Sequence, residues 1–233
     1  MVDLTAEMAG LWAALGPASG HRGRVIQFAS ANHGEGTSTV AREFARLAAV
    51  RARRPVWLVD ADLNAQQQLE AVGAQADRFG KLGKTAYASP DGSCFFTVSP
   101  RVTAKDGRPV APARLLIAQP CLGGRLWITR FRGEVLKSGQ RVEALHDARY
   151  WDAMRKHAET VVVDAPSADR SDMAVNLAPY VDATVLVVAA ETTRASEPIA
   201  LRDEIEAVGG RIAGVVMNRS TYQPPGFLKK VLG

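Results

Sequence analysis

The sequence predicts an α/β fold, a mostly parallel sheet with helices on both faces, and three observations carry that expectation. Short apolar runs rich in β-branched residues recur at 25–28, 56–59, 161–163 and 184–188. Amphipathic stretches long enough for crossover helices lie between them, so strand and helix alternate. The runs also end in polar chemistry: a glycine-rich turn follows the first, and carboxylates close the second and third. In an open parallel sheet those ends share one edge, where ligands bind.

The chain has 233 residues, enough for one large α/β domain and hardly enough for two. We expect one domain over 1–233, with an N-terminal helix at 3–15 and an irregular insertion at 73–124. With 47% hydrophobic and 23% charged residues, the composition is that of ordinary soluble folded proteins. The longest apolar run, 183–190, falls short of the roughly 18 residues that suggest a membrane span. Residues 1–5 carry no basic region ahead of an apolar core, so no secretory signal is expected. Cys94 and Cys121 stand in no metal or redox spacing, and reduced thiols and a cytoplasmic location are expected. The net charge of +5 is uneven. Residues 101–141 hold nine basic residues against Asp106 and Glu134, a local excess of seven. Such a run reads as the solvated face of an insertion, or as a contact for anionic lipid or nucleic acid.

Taken in order, Met8, Leu11, Trp12 and Leu15 share a helical face, and Gly16-Pro17 stops that helix. Residues 24–29 form the first core strand and 40–53 the first crossover helix. Residues 55–62 form a second strand, where Asp60 and Asp62 are spaced to put both carboxylates on one side. The stretch 73–124 is rich in Gly, Pro and Ser, with apolar pieces at 94–98 and 115–117; it reads as an inserted, partly irregular hairpin. Residues 125–129 return to the sheet. Residues 142–157 have the spacing of an amphipathic helix through Leu145, Tyr150 and Met154. A buried strand over 160–166 carries a carboxylate, Asp164, near its end, and a short helix spans 172–178. Strands at 182–190 and 212–218 flank a helix at 193–208 that Gly209-Gly210 closes.

The turn after the first strand reads Ser30-Ala31-Asn32-His33-Gly34-Glu35-Gly36-Thr37-Ser38-Thr39. Its glycines let consecutive backbone N–H groups converge on a phosphate, and the helix that follows adds partial positive charge. The usual pattern, Gly-x4-Gly-Lys-[Ser/Thr], sets a lysine against the outer phosphates. Here Gly36 fills the second glycine place, Ser38 the hydroxyl place, and Thr37 the place of the lysine. Gly34, Glu35, Gly36, Thr37, Ser38 and Thr39 are the candidate phosphate-binding residues. Asp60, Asp62 and Asp164 are the candidate catalytic residues. Ser38, Asp60 and Asp164 are the candidate ligands of the Mg2+ that accompanies a nucleotide. A helix cap or a turn is the alternative role for each Asp.

Through these motifs the chain resembles the P-loop domain of bacterial tyrosine kinases and exopolysaccharide co-polymerases, a branch of the ParA/MinD ATPase superfamily with the P-loop NTPase fold. The family loop Pro-Gly-Glu-Gly-Lys-Ser-Thr is matched by His33-Gly34-Glu35-Gly36-Thr37-Ser38-Thr39. The family's Val-Asp-Ala-Asp-Leu is identical to Val59-Asp60-Ala61-Asp62-Leu63, and Ile-Asp-Thr-Pro-Pro is close to Val163-Asp164-Ala165-Pro166-Ser167. The run from Asp182 to Val188 and Gly214-Val215-Val216-Met217-Asn218-Arg219 also fit. The resemblance implies ATP or ADP with Mg2+ as cofactors, and an adenine contact at Asn218 with Arg219 beside it.

The departures from the family pattern fall on its mechanism. Thr37 replaces the phosphate lysine, and Asn32 stands where ParA and MinD carry a further signature lysine, which the tyrosine-kinase branch also lacks. The Glu-x-x-Arg-x-x-Arg helix that mediates ring formation in kinase relatives reads Glu7, Gly10, Ala13 here. The C-terminal tyrosine cluster is reduced to Tyr222. Arg22, Lys84 and Arg170 are the candidates to replace the lost charge.

These departures point to a degenerate, tyrosine-kinase-like protein that regulates bacterial exopolysaccharide biosynthesis or export, with weakened ATP/ADP and Mg2+ binding and no kinase activity. The alternative is an active ParA/MinD-type ATPase at a membrane or nucleoid surface. Expected partners are a membrane-embedded polysaccharide co-polymerase or export protein, and a second copy in a homodimer; nucleic acid is not expected. Residues 226–233 put Phe227, Leu228, Val231 and Leu232 on one helical face beside Lys229 and Lys230. They resemble the membrane-surface helix that ends MinD proteins and imply a peripheral place at the inner membrane. A tail packed on the domain is the other reading.

Overall fold

The computed structural model describes residues 4–16, 22–104 and 106–219. The order begins α1 (Thr5–Leu15), β1 (Arg24–Ala29), α2 (Thr37–Arg51), β2 (Val56–Asp60), α3 (Gln68–Gly73) and α4 (Ala76–Phe79). The two-residue β3 (Ala86–Tyr87), β4 (Phe96–Ser99), β5 (Leu116–Cys121), β6 (Leu126–Phe131) and β7 (Arg141–Ala144) follow. The chain continues through α5 (Arg149–His157), β8 (Thr160–Asp164), α6 (Met173–Leu177), β9 (Ala183–Ala189), α7 (Ser196–Ala207) and β10 (Ile212–Asn218). Among the described residues eight strands form one sheet, in the order β10-β9-β1-β8-β2-β6-β5-β3, and β4 pairs with β7 in a second.

β1, β8 and β9 are buried along their whole length. Each lies between parallel neighbours with a packed layer on both faces, which explains apolar runs without alternation. One face carries α2 and, over it, α1: Phe28 and Leu58 meet Phe44, and Trp12 packs against Phe44 with the rings tilted at 41° and their centres 5.8 Å apart. The other face buries Val25, Val59 and Val163 against Trp151 and Met154 of α5. Five parallel strands, β10, β9, β1, β8 and β2, thus bring Asn218, Ala189, Ala29, Asp164 and Asp60 to one edge. Asp60 and Asp164 are direct register partners there.

The segment 73–124 folds differently from the hairpin expected within it. Phe96–Ser99 pairs with Arg141–Ala144, far along the chain, and Leu116–Cys121 pairs antiparallel with β6. The reversal between β5 and β6 runs through Leu122, Gly123 and Gly124, all at positive φ (49°, 66° and 90°). That Gly-Gly pair was the local turn signal; the apolar pieces at 94–98 and 115–117 belong to different sheets. The helix expected over 142–157 is also shorter. Residues 141–144 alternate exposed and half-buried as β7, and α5 starts at Arg149, whose N–H bonds Asp147 Oδ1 at 2.8 Å.

The basic run is spread over several elements: Arg101 and Arg108 between β4 and β5, Arg130 within β6, Arg141 at the start of β7. Its two acidic residues are paired locally, Glu134 with Arg130 at 2.9 Å and Asp106 with Arg108 at 3.5 Å. Among the described residues no helix is long and apolar enough to cross a membrane.

Candidate functional site: a phosphate-sized cleft at the strand ends

The first helix of the sheet begins inside the glycine turn. α2 starts at Thr37, three residues before the helix read from the sequence, with Gly36 as its N-cap at φ +90°. The leading N–H groups of a helix have no intrahelical acceptor, so they face whatever fills the turn. Gly34 (φ +85°) adds to the cradle, and the space a Cβ would take there is open.

The turn is held by side chains. Glu35 is buried; its Oε2 accepts from Asn32 N–H at 2.9 Å, and its Oε1 accepts from Ala189 N–H at 3.3 Å and from the Thr193 hydroxyl. Asn218 Nδ2 donates to Glu35 O at 2.8 Å. A Cβ at Gly36 would stand 2.1 Å from that Asn218 nitrogen. Asn218 therefore braces the loop from the end of β10, and Arg219 follows it exposed, at φ +55°. We expect Gly36→Ala to cost about 2 kcal/mol, from the positive φ and the broken brace. Thermal unfolding should show a melting point lower by about 4–8 °C.

Across the cleft, the three carboxylates differ in their environments. Asp60 Oδ2 accepts from Gln67 and Gln68 N–H at 3.0 Å each, and its Oδ1 accepts from Asp62 N–H at 3.2 Å. Oδ2 of Asp60 thus holds the start of α3, and Oδ1 the turn that follows β2. Asp62 lies beyond β2, in the turn that follows; its Oδ1 accepts from Asn64 and Ala65 N–H, and its Oδ2 pairs with Arg170 Nη1 at 3.1 Å. Asp164 accepts from Gln68 Nε2 at 2.6 Å through Oδ2, while its buried Oδ1 has no partner.

Gln68 was not singled out in the sequence. Its carboxamide is fully buried and also donates to Ser38 O at 2.8 Å and accepts from Arg42 Nη1 at 3.1 Å. Arg78 grips the buried Glu43 of α2 with two bonds, at 2.7 and 2.8 Å, and so fixes the α3–α4 segment over the sheet edge. The Gln66-Gln67-Gln68 run was the available signal, but only the way α3 folds back gives it meaning.

Burial pushes Asp60 well above the ordinary carboxylate range, reinforced by the Asp164 charge. Burial likewise raises Asp164 to about 6, against the pull of the Gln68 amide and the Ser38 hydroxyl. Two facing carboxyls in a buried place make it favourable for a cation.

Together these groups surround a cleft of about 210 Å3, lined by Gly34 to Thr39, Asp60, Asp62, Asp164, Ser167, Arg170 and Arg219 among others. Thr37 Oγ1, Asp164 Oδ1 and Ser167 Oγ are buried there without hydrogen-bond partners. Orphaned buried polar atoms are expensive unless a ligand or ion satisfies them. The arrangement fits a tetrahedral oxyanion on the backbone N–H groups, and the Ser38 hydroxyl and Asp164 are the residues that would hold a divalent cation. Among the described residues no group of three or more His, Cys, Asp or Glu is arranged to hold a metal by protein ligands alone. Mg2+ characteristically takes one or two carboxylates and completes its shell with phosphate and water.

Of the cations proposed to replace the lost charge, Arg22 pairs with Asp152 at 2.5 Å at the opposite end of β1, and Lys84 does not line the cleft. Arg170 does line it.

No family model and no curated protein matches the chain. Solved structures do. The VpsO kinase domain is 22% identical, with TM-score 0.53, over 85% of this chain and 86% of that one. The cell-division ATPase MinD of Pyrococcus furiosus is 17% identical, with TM-score 0.56, over 90% and 79%. The nucleotide-binding protein of Archaeoglobus fulgidus, solved in complex with ADP, is 17% identical, with TM-score 0.53, over 88% and 70%. At these identities the likeness is one of fold: the chain has the parallel α/β fold of ParA/MinD-type P-loop domains, the fold also of bacterial tyrosine-kinase domains.

Proposed function

We propose that the chain is a degenerate P-loop protein that binds ADP or ATP with Mg2+ weakly, turns it over little, and regulates bacterial exopolysaccharide synthesis or export through a membrane-embedded partner. The observation that carries the nucleotide part is the set of three orphaned polar atoms, Thr37 Oγ1, Asp164 Oδ1 and Ser167 Oγ, around a glycine cradle at a helix N-terminus. The ADP-bound protein of the same fold supports it.

In this reading the backbone N–H groups from Gly34 to Ser38 hold the phosphates, and Ser38 with Asp164 holds the cation. Bound Mg2+ would neutralise charge on the transferring phosphoryl group. Asp60 keeps α3 in place, and Gln68 holds Asp164. Thr37 offers a hydroxyl where relatives place a lysine, so one charge is missing from the set that stabilises phosphoryl transfer. On α1 the kinase branch's two arginines are replaced by Gly10 and Ala13, which argues in the same direction.

Incubation with ATP and Mg2+ tests this. Phosphate release near background and no phosphotyrosine on blotting are expected; brisk turnover contradicts the degenerate reading. DNA binding that falls steeply with salt is the result that favours a ParA/MinD-type ATPase instead. Peripheral membrane contact through 226–233 is part of the proposal, and those residues lie outside the described ones. Liposome co-sedimentation that is equal with and without 226–233 rules that contact out.

A further inference from the structure

We infer that Arg170 supplies, for binding alone, a positive charge in place of the one missing at Thr37, so that the bound phosphates are clamped by an arginine from the loop after β8, while the charge aimed at phosphoryl transfer stays absent. The inference rests on the nucleotide reading above and names how that site works in this chain.

The first support is placement. The loop after β8 is fastened to the glycine turn by three hydrogen bonds: Ala168 N–H to Ser30 O at 2.9 Å, Asp169 N–H to Ala31 O at 3.0 Å, and His33 N–H to Asp169 Oδ2 at 3.1 Å. Arg170 follows directly and is carried to the mouth of the same cleft that Thr37 lines. Its position is therefore set by the backbone of the glycine turn itself.

The second support is charge. Asp60, Asp62 and Asp164 line the cleft, and Arg170 and Arg219 are the Lys or Arg side chains among its lining residues. A phosphate entering this surround needs a cation within reach. Arg42 lies behind Gln68, to which it is bonded, and does not line the cleft.

The third support is availability. Arg170 contacts Asp62 Oδ2 at 3.1 Å and His33 Nδ1 at 3.4 Å, both through Nη1. Its remaining donors form the fork that matches phosphate oxygens. The side chain is 35% exposed, and a partly exposed ion pair of this kind is weakly held. Asp62 keeps its bonds from Asn64 and Ala65 N–H when Arg170 turns away, so the exchange leaves no stranded carboxylate.

The test is titration of the full chain with Mg2+-ADP, comparing the unmodified protein, Arg170→Ala, Arg170→Lys, Thr37→Lys and the double variant. Removing a charge-assisted phosphate contact should weaken binding about ten- to a hundredfold in Arg170→Ala. Arg170→Lys should recover part of that loss. In the Thr37→Lys background the same alanine should cost less than about threefold, because the two cations serve one anion. Arg170→Met keeps the stem and serves as the neutral variant where the alanine form does not fold. Binding by Arg170→Ala equal to that of the unmodified chain overturns the inference. So does an equal loss in both backgrounds, which marks a merely structural role. An unmodified chain that does not bind Mg2+-ADP at all overturns the nucleotide reading, and this inference with it.

Discussion

Thr37→Lys is expected to raise Mg2+-dependent ATP hydrolysis roughly a hundred- to a thousandfold above the unmodified chain, the value of one preorganised charge aimed at a transition state. The position is favourable. Thr37 is the first residue of α2, lines the cleft, and has a buried hydroxyl without a partner. A lysine there has Asp60, Asp62 and Asp164 around the same cleft to compensate its charge. The rest of the cradle, from Gly34 to Ser38, is already in shape. Phosphate release measures the gain. Phosphotyrosine is expected to stay at background in the same variant. Thr37→Ser, which adds no charge, should hydrolyse no faster than the unmodified protein.

Asp164→Asn should do the reverse of most substitutions at a buried site: stabilise the unliganded domain while removing its Mg2+-dependent binding. Asp164 is 3% exposed, faces Asp60 in register, and leaves Oδ1 without a partner. An amide oxygen still accepts from Gln68, and the buried negative charge is gone. The sign of the pH effect follows from the raised pKa. The folded carboxyl holds its proton up to about 6, through burial, whereas the unfolded one releases it near its ordinary value. Between those two values the folded state binds more protons, so rising pH lowers the stability of the unmodified protein through that window. The asparagine variant lacks this loss. Above the window it should be more stable by up to about 3 kcal/mol, read as a melting point higher by up to roughly 6–12 °C. In the presence of Mg2+-ADP the order should invert, because only the unmodified protein gains from the ligand.

The two results together describe a site kept at some expense to stability. Facing buried carboxyls and orphaned hydroxyls are costs that a bound phosphate and cation would relieve.

What the sequence made legible and what it hid divide along physical lines. Residues 24–29 and 212–218 read as strands and are β1 and β10, and the strand read over 160–166 is β8, which ends at Asp164. Buried parallel strands such as β1 and β8 are continuous apolar runs, a local signal, whereas β10 at the sheet edge alternates half-buried and exposed residues. The gathering of the glycine turn, Asp60, Asp62 and Asp164 at one edge followed from the same reading, since parallel strands end together. β4 and β7 were missed because their pairing joins residues more than 40 apart, and nothing local marks it. Gln68 was missed because its part depends on α3 turning back over the edge. Arg170 could be named as a cation from the sequence but not placed. Its position comes from backbone bonds between two loops, which leave no pattern in side-chain type. Asn218 was read as an adenine contact by resemblance; its carboxamide is bonded to Glu35 O, so it also shapes the loop.

Calorimetric titration of the full chain with ADP, with and without Mg2+, bears most directly on the central claim that this glycine turn and Asp164 still form a nucleotide site without the lysine. The expected result is saturable binding that needs Mg2+ and is lost in Asp164→Asn. No heat of binding at any ADP concentration, or binding indifferent to both Mg2+ and Asp164→Asn, would contradict it.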